Sequence, residues 1–230
     1  AISLLHENVF TDQLMIICSK YIEGAEYHLS IALLNKLVSK HPDAEPLLAK
    51  CFLQLSLKEK SNDSKKHLLL KAFEIKNNHN KLFNDKLFKS IFTEVVSNLI
   101  AVANKYGEFS YFSDAYALLD LVLLHNPAAL NTFIKVKLLE INSLTTVDKQ
   151  IELLNKTINE VKQKLSGLDN INEIQLDILY SELINVSIRK FSNSDNVAAI
   201  QGLTTLKNEL KVQKIKTDNM TNIIIFLKRL

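Results

Sequence analysis

The chain has 230 residues, of which 47% are hydrophobic and 23% charged, a balance typical of folded proteins and not of disordered ones. Only four Gly and three Pro occur, too few for the many tight turns of a β-sandwich or barrel, so the composition favours an all-α fold. The net charge of +3 does not by itself indicate a nucleic-acid or membrane partner. Arg189 and Arg229 are the only arginines, which disfavours bidentate recognition of phosphates or bases.

Apolar residues recur at helical spacing along almost the whole chain. The predicted helices, in chain order, cover residues 8–23, 25–40, 44–57, 64–76, 85–106, 113–125, 128–141, 147–165, 171–191, 195–214 and 218–230. In the first helix, Leu14, Ile17, Cys18 and Tyr21 are predicted to lie on one face. Gly24 is predicted to interrupt the first helix, and Gly107 to end the fifth as a C-cap. The apolar run 223–227 is much shorter than the ~20 residues that span a bilayer.

Residue types that carry chemistry are sparse. Cys18 and Cys51 lie on apolar helical faces, which favours small buried residues over a disulfide or a metal pair. His41 and His125 stand just before prolines, where a histidine can interact with the last carbonyls of a helix. The sequence contains no HExxH, no phosphate-binding glycine loop and no GxSxG motif. We therefore expect no enzyme activity, no cofactor and no metal.

Two stretches that end in proline share a pattern. Pro42 and Pro127 each follow a predicted helix and lie 85 residues apart. At 28, 24, 21, 12, 8 and 5 residues before Pro127 stand Leu99, Ala103, Tyr106, Ala115, Leu119 and Val122, and before Pro42 the same offsets hold Leu14, Cys18, Tyr21, Ser30, Leu34 and Leu37. The small residue lets two helices cross closely, the large residues fill the space between them, and proline ends the second helix.

This pattern resembles the tetratricopeptide repeat, a helix pair of ~34 residues, in windows 11–44 and 96–129. Window 45–78 keeps the apolar spacing but lacks the proline and has Lys71 at an apolar position. The resemblance implies an all-α fold of antiparallel helix pairs stacked into a right-handed superhelix, an α-solenoid. It implies one domain over residues 1–230, better preserved over 11–129 and degenerate over 130–230. A non-repeating helical bundle and a HEAT-type solenoid remain alternatives.

The resemblance also implies a function: a non-enzymatic scaffold or adaptor subunit of a multiprotein complex, in the cytoplasm or nucleus. Such a protein binds a peptide or helical segment of a partner in the groove lined by the first helix of each pair. The corresponding groove positions hold Met15, Ser19, Ile22, Ile100 and Asn104. Only Asn104 fits the Lys/Asn clamp with which some members bind a C-terminal carboxylate. We therefore expect an apolar partner segment.

An alternative function is that of a basic helical module that docks on nucleic acid or another anionic partner. Its possible basic surface comprises Lys58, Lys60, Lys65, Lys66, Lys207, Lys211 and Lys214. Few aromatic residues interleave with these lysines, which disfavours a base-stacking surface. Self-association is a third possibility, because the predicted helix 218–230 is apolar nearly all round.

Overall fold

The computed structural model describes residues 2–41, 43–78, 86–166, 174–192 and 196–212. Within these ranges the chain forms ten α-helices and no strand, so the predicted all-α class is confirmed. The helices are α1 (Ile2–Glu23), α2 (Tyr27–Leu37), α3 (Ala44–Lys58), α4 (Asn62–Asn78), α5 (Lys86–Glu108), α6 (Phe112–Val122), α7 (Ala128–Ser143), α8 (Val147–Ser166), α9 (Ile174–Phe191) and α10 (Asn196–Val212). None of these helices is both long and apolar enough to cross a bilayer. Pro42, Lys214 and the predicted helix 218–230 lie outside the described residues.

The helices group into two compact units, residues 1–105 and 106–230. In the first unit α1 packs on α2, α2 on α3 and α3 on α4, and in the second unit each helix from α6 to α9 packs on the one that follows it. Short connections favour this arrangement, because consecutive helices joined by a few residues fold back on one another. The prediction of a single repeat domain over 1–230 stays a prediction.

The core of the first unit lies between α1, α2 and α3. Its buried members are Met15, Cys18, Leu34, Leu37, Ala44, Leu48 and Cys51. Both cysteines are free thiols and fully buried, as predicted. Burial raises the pKa of each thiol, and the neighbouring Ser30 hydroxyl lowers it by a smaller amount. Ser30 is the small residue at the crossing of α1 and α2, and its Oγ donates to the carbonyl oxygen of Cys18 at 3.3 Å.

The turns that follow α1 and α5 have the same backbone geometry, 85 residues apart. Each contains one left-handed residue that is not glycine, Ala25 with φ 59° and Ser110 with φ 64°. In both turns the next amide donates to the carbonyl five residues earlier at 2.8 Å: Glu26 to Tyr21, and Tyr111 to Tyr106. The helices that follow, α2 and α6, each have 11 residues. The sequence pattern at offset 85 is therefore also a repeat of local structure.

The repetition extends to the segment that leads into the third helix of each copy. The amide of Asp43 donates to Nδ1 of His41 at 3.1 Å, and the amide of Ala128 donates to Oδ1 of Asn126 at 3.0 Å. His41 thus bonds the amide of Asp43, the residue that precedes α3, whereas the sequence predicted an interaction with the last carbonyls of the preceding helix.

Gly107 does not have the role predicted from sequence. The C-cap prediction is wrong, because α5 continues to Glu108 and the left-handed residue of the turn is Ser110. A Cβ built on Gly107 would lie 2.6 Å from Cγ2 of Val136, a buried residue of α7. Gly107 is therefore required by the close approach of two helices, and not by its backbone conformation.

We predict that Gly107→Ala destabilises the protein although alanine is the better helix former. Overpacking against Val136 costs about 1–3 kcal/mol, and helix propensity offsets at most ~1 kcal/mol of it. Val136→Ala makes room for the new methyl group, so chemical denaturation should show that the double variant loses less than the sum of the two single losses.

Gly24→Ala is the matched control, because its Cβ would meet only the carbonyl oxygens of Lys20 at 3.4 Å and Tyr21 at 3.8 Å, and its φ is not positive. This variant should be neutral or slightly stabilised. If the losses of stability caused by Gly107→Ala and Val136→Ala are additive in the double variant, the proposed contact between residues 107 and 136 is contradicted.

Candidate functional site

The five predicted groove residues differ in accessibility. Met15 is only 7% exposed and belongs to the core of the first unit, and Ile22 is partly buried against that core. Ser19 is half-buried, and its Oγ donates to the Met15 carbonyl oxygen of the same helix at 3.1 Å. Ile100 and Asn104 are half-buried and one turn apart on α5. The groove stays a prediction. Met15 and Ile22, which pack in the core of the first unit, contribute mainly to the fold.

The accessible apolar surface of α1 lies on a different face. Four large apolar side chains are solvent-exposed there, with exposed fractions of 52% for Val9, 60% for Phe10, 57% for Ile16 and 41% for Ile17. Residues seven apart lie on the same face of a helix, so these four form two adjacent rows. Ile17, which was predicted to share a face with Leu14, Cys18 and Tyr21, is exposed although Cys18 is fully buried. The sequence did not identify Val9, Phe10 and Ile16 as a surface. We call this set the α1 face.

Polar residues lie within and beside the α1 face. Gln13 is exposed between the two rows, three or four residues from each of their members, and Lys20 is exposed one turn beyond them. Asp12 lies 3.5 Å from Nε2 of His41, which leads into α3. Protein interfaces combine apolar residues with polar ones. Single exposed apolar residues are common on proteins, whereas contiguous ones mark interaction surfaces.

The predicted basic surface separates into two sets, one in each unit. Around the α3–α4 turn, Lys58 and Lys60 are exposed while Lys65 and Lys66 are half-buried. The ammonium group of Lys58 lies 4.6 Å from the ring centroid of Tyr27, a cation–π contact that orients it. Acidic side chains at positions 59 and 63 alternate with these lysines, so the charge here is mixed.

The second set lies on α10. Lys207 is half-buried and Lys211 is exposed, one helical turn apart. Two lysines at this spacing form a small basic spot, much less than the 6–10 phosphate contacts of a strong nucleic-acid binder. In neither unit do the described lysines form an extended field of one sign.

A buried charged cluster in the second unit was not identified from the sequence. Lys137 of α7 is buried, and its Nζ lies 3.5 Å from a carboxylate oxygen of Glu160 on α8 and 3.7 Å from one of Glu140. The same ammonium group lies 3.9 Å from the ring centroid of Tyr116 on α6. The Tyr116 hydroxyl donates to Glu140 at 2.5 Å. These four residues, the Lys137 cluster, connect three consecutive helices.

The Lys137 cluster changes the titration of its tyrosine. Burial raises the pKa of Tyr116, and the hydrogen bond to Glu140 together with the negative charges of Glu140 and Glu160 raises it further. The sequence did contain a signal for this cluster, because Lys137 stands four residues after Phe133 and four before Ile141, both of which are buried. A lysine at such an inward position needs a counter-charge.

A second ion pair lies between the same helices. Lys164 of α8 pairs with Asp120 of α6 at 2.5 Å, and its ammonium group lies 4.9 Å from the ring centroid of Phe133. Every charged group of the Lys137 cluster and of the Lys164–Asp120 pair thus contacts another side chain. Both arrangements serve to hold α6, α7 and α8 together.

Neither metal ligation nor a known family identifies a function. Among the described residues, no group of three or more His, Cys, Asp or Glu side chains is placed to hold a metal ion. No protein-family model matches the chain, and no curated protein sequence matches it at a significant level. The resemblance to the tetratricopeptide repeat therefore depends on the positions in this chain alone.

We predict that Lys137→Met lowers the free energy of unfolding by about 1–3 kcal/mol. Methionine keeps the apolar stem but leaves Glu140 and Glu160 without their counter-charge, and the partial exposure of both carboxylates limits the loss. The matched control is Lys135→Met, since Lys135 is exposed and 3.9 Å from Glu108; denaturant titration should show little change there. An equal loss of unfolding free energy in the two variants would contradict the stabilising role of the Lys137 ion pairs.

Tyr116 should make the protein less stable at alkaline pH. Its raised pKa means that, above the ordinary value of 10.0, the unfolded chain releases a proton that the folded protein keeps. The unfolded state then binds fewer protons than the native state, so the free energy of unfolding falls as the pH rises above ~10. Tyr116→Phe removes this contribution, and the fall in stability between pH 9 and 11 should be smaller than in wild type. An unchanged slope would contradict the assignment.

Proposed function

We propose that the chain is a non-enzymatic protein–protein interaction subunit, a scaffold or adaptor of a multiprotein complex, and that it binds a partner through the α1 face. The observation that carries the proposal is the asymmetry of α1. One side of this helix is buried against α2 in a well-packed core, while Val9, Phe10, Ile16 and Ile17 expose about half of their surface. The proposed setting is the cytoplasm or nucleus.

The α1 face can supply part of the binding energy of such a complex. Full burial of one large apolar side chain contributes about 1.5–3 kcal/mol, so four half-exposed ones contribute about 3–6 kcal/mol. Association itself costs an estimated 4 kcal/mol or more. The α1 face alone therefore supports weak binding, and a stable complex requires further contacts, which is the ordinary situation of one subunit among several.

The proposed architecture is a tetratricopeptide-like solenoid. Two findings support it: the matching turns after α1 and α5, and the small buried residues Ser30 and Ala115 at equal positions of the two copies. Stacked helix pairs present extended surfaces made from successive first helices. Ser19, Ile100 and Asn104 are the accessible members of the predicted groove and would extend such a surface beyond the α1 face.

Docking on nucleic acid or another anionic partner remains the second candidate. The exposed lysines Lys58 and Lys60 favour it, whereas the acidic residues between and beside them do not. The two candidates differ in salt dependence, because counterion release makes a phosphate-directed interaction weaken steeply with salt, while apolar burial does not weaken in this way.

Affinity capture from the native source, with quantitative mass spectrometry, tests the proposal. Wild type should retain its protein partners in 0.5 M salt. The double variant Phe10→Asp/Ile17→Asp should capture at least tenfold less of each of these partners, because its carboxylates would be buried against an apolar partner surface. Leu124→Asp is the matched control, since Leu124 is 78% exposed and lies in the second unit. It should retain the partners.

Circular dichroism should show that all three chains are folded, because the substituted side chains are exposed. Partners retained by the α1 variant would contradict the proposed face. Partners lost in 0.5 M salt, or on substitution of Lys58→Gln/Lys60→Gln, would instead support the anionic-partner function.

A further inference from the structure

We draw no further inference here: the strongest candidate, the pair of thiols Cys18 and Cys51 in the core between α1, α2 and α3, carries nothing because both side chains are fully buried and burial raises the pKa of each thiol, which leaves them unreactive as nucleophiles and as metal ligands.

Discussion

The close approach of neighbouring helices is the constraint on which the rest of this structure depends. Two helices can approach closely only where one of them presents little or no side chain. Ser30 meets this requirement at the crossing of α1 and α2, and its hydroxyl is satisfied by the Cys18 carbonyl oxygen. Gly107 meets it where α5 approaches Val136. Once these contacts are made, the large apolar residues on the same faces are buried together, and the remaining faces are left to solvent or to a partner.

Different kinds of side chain fill the interiors of the two units. In the first unit, the space between α1, α2 and α3 is filled by apolar side chains and two buried thiols. In the second unit, an inward position of α7 holds Lys137, which is tolerated because Glu140, Glu160 and the ring of Tyr116 surround its ammonium group. A buried ion pair contributes less to net stability than apolar packing of the same volume, but removal of one partner is costly. The cluster therefore makes the contact between α6, α7 and α8 sensitive to substitution.

The contrast between α1 and α5 explains how a repeated sequence pattern produces different surfaces. Phe10 and Val95 stand at equivalent positions, yet only Val95 is buried. Burial depends on what packs on a helix as well as on the helix itself, and on α5 the ring of Phe92 packs against that of Phe73 of α4. On α1, Phe10 and Ile17, which correspond to Val95 and Val102, are large, apolar and exposed. Because exposed large apolar side chains of this kind mark interaction surfaces, the α1 face is a candidate binding surface.

The sequence by itself determined that the described part of this protein is helical and where the described helices begin and end, mostly within three residues. That success has a local cause, since the 3.6-residue periodicity and the scarcity of Gly and Pro act within one or two turns. The small residue Ser30, the buried thiols and the repeat at offset 85 were predicted for the same reason. Only the tertiary structure decided that Ile17 faces solvent, that Gly107 serves a helix contact and not a cap, and that Lys137 is buried among carboxylates. Each of these depends on a residue or element that is distant in sequence, such as Val136 or Glu160, and periodicity within one helix contains no information about what packs on its other side.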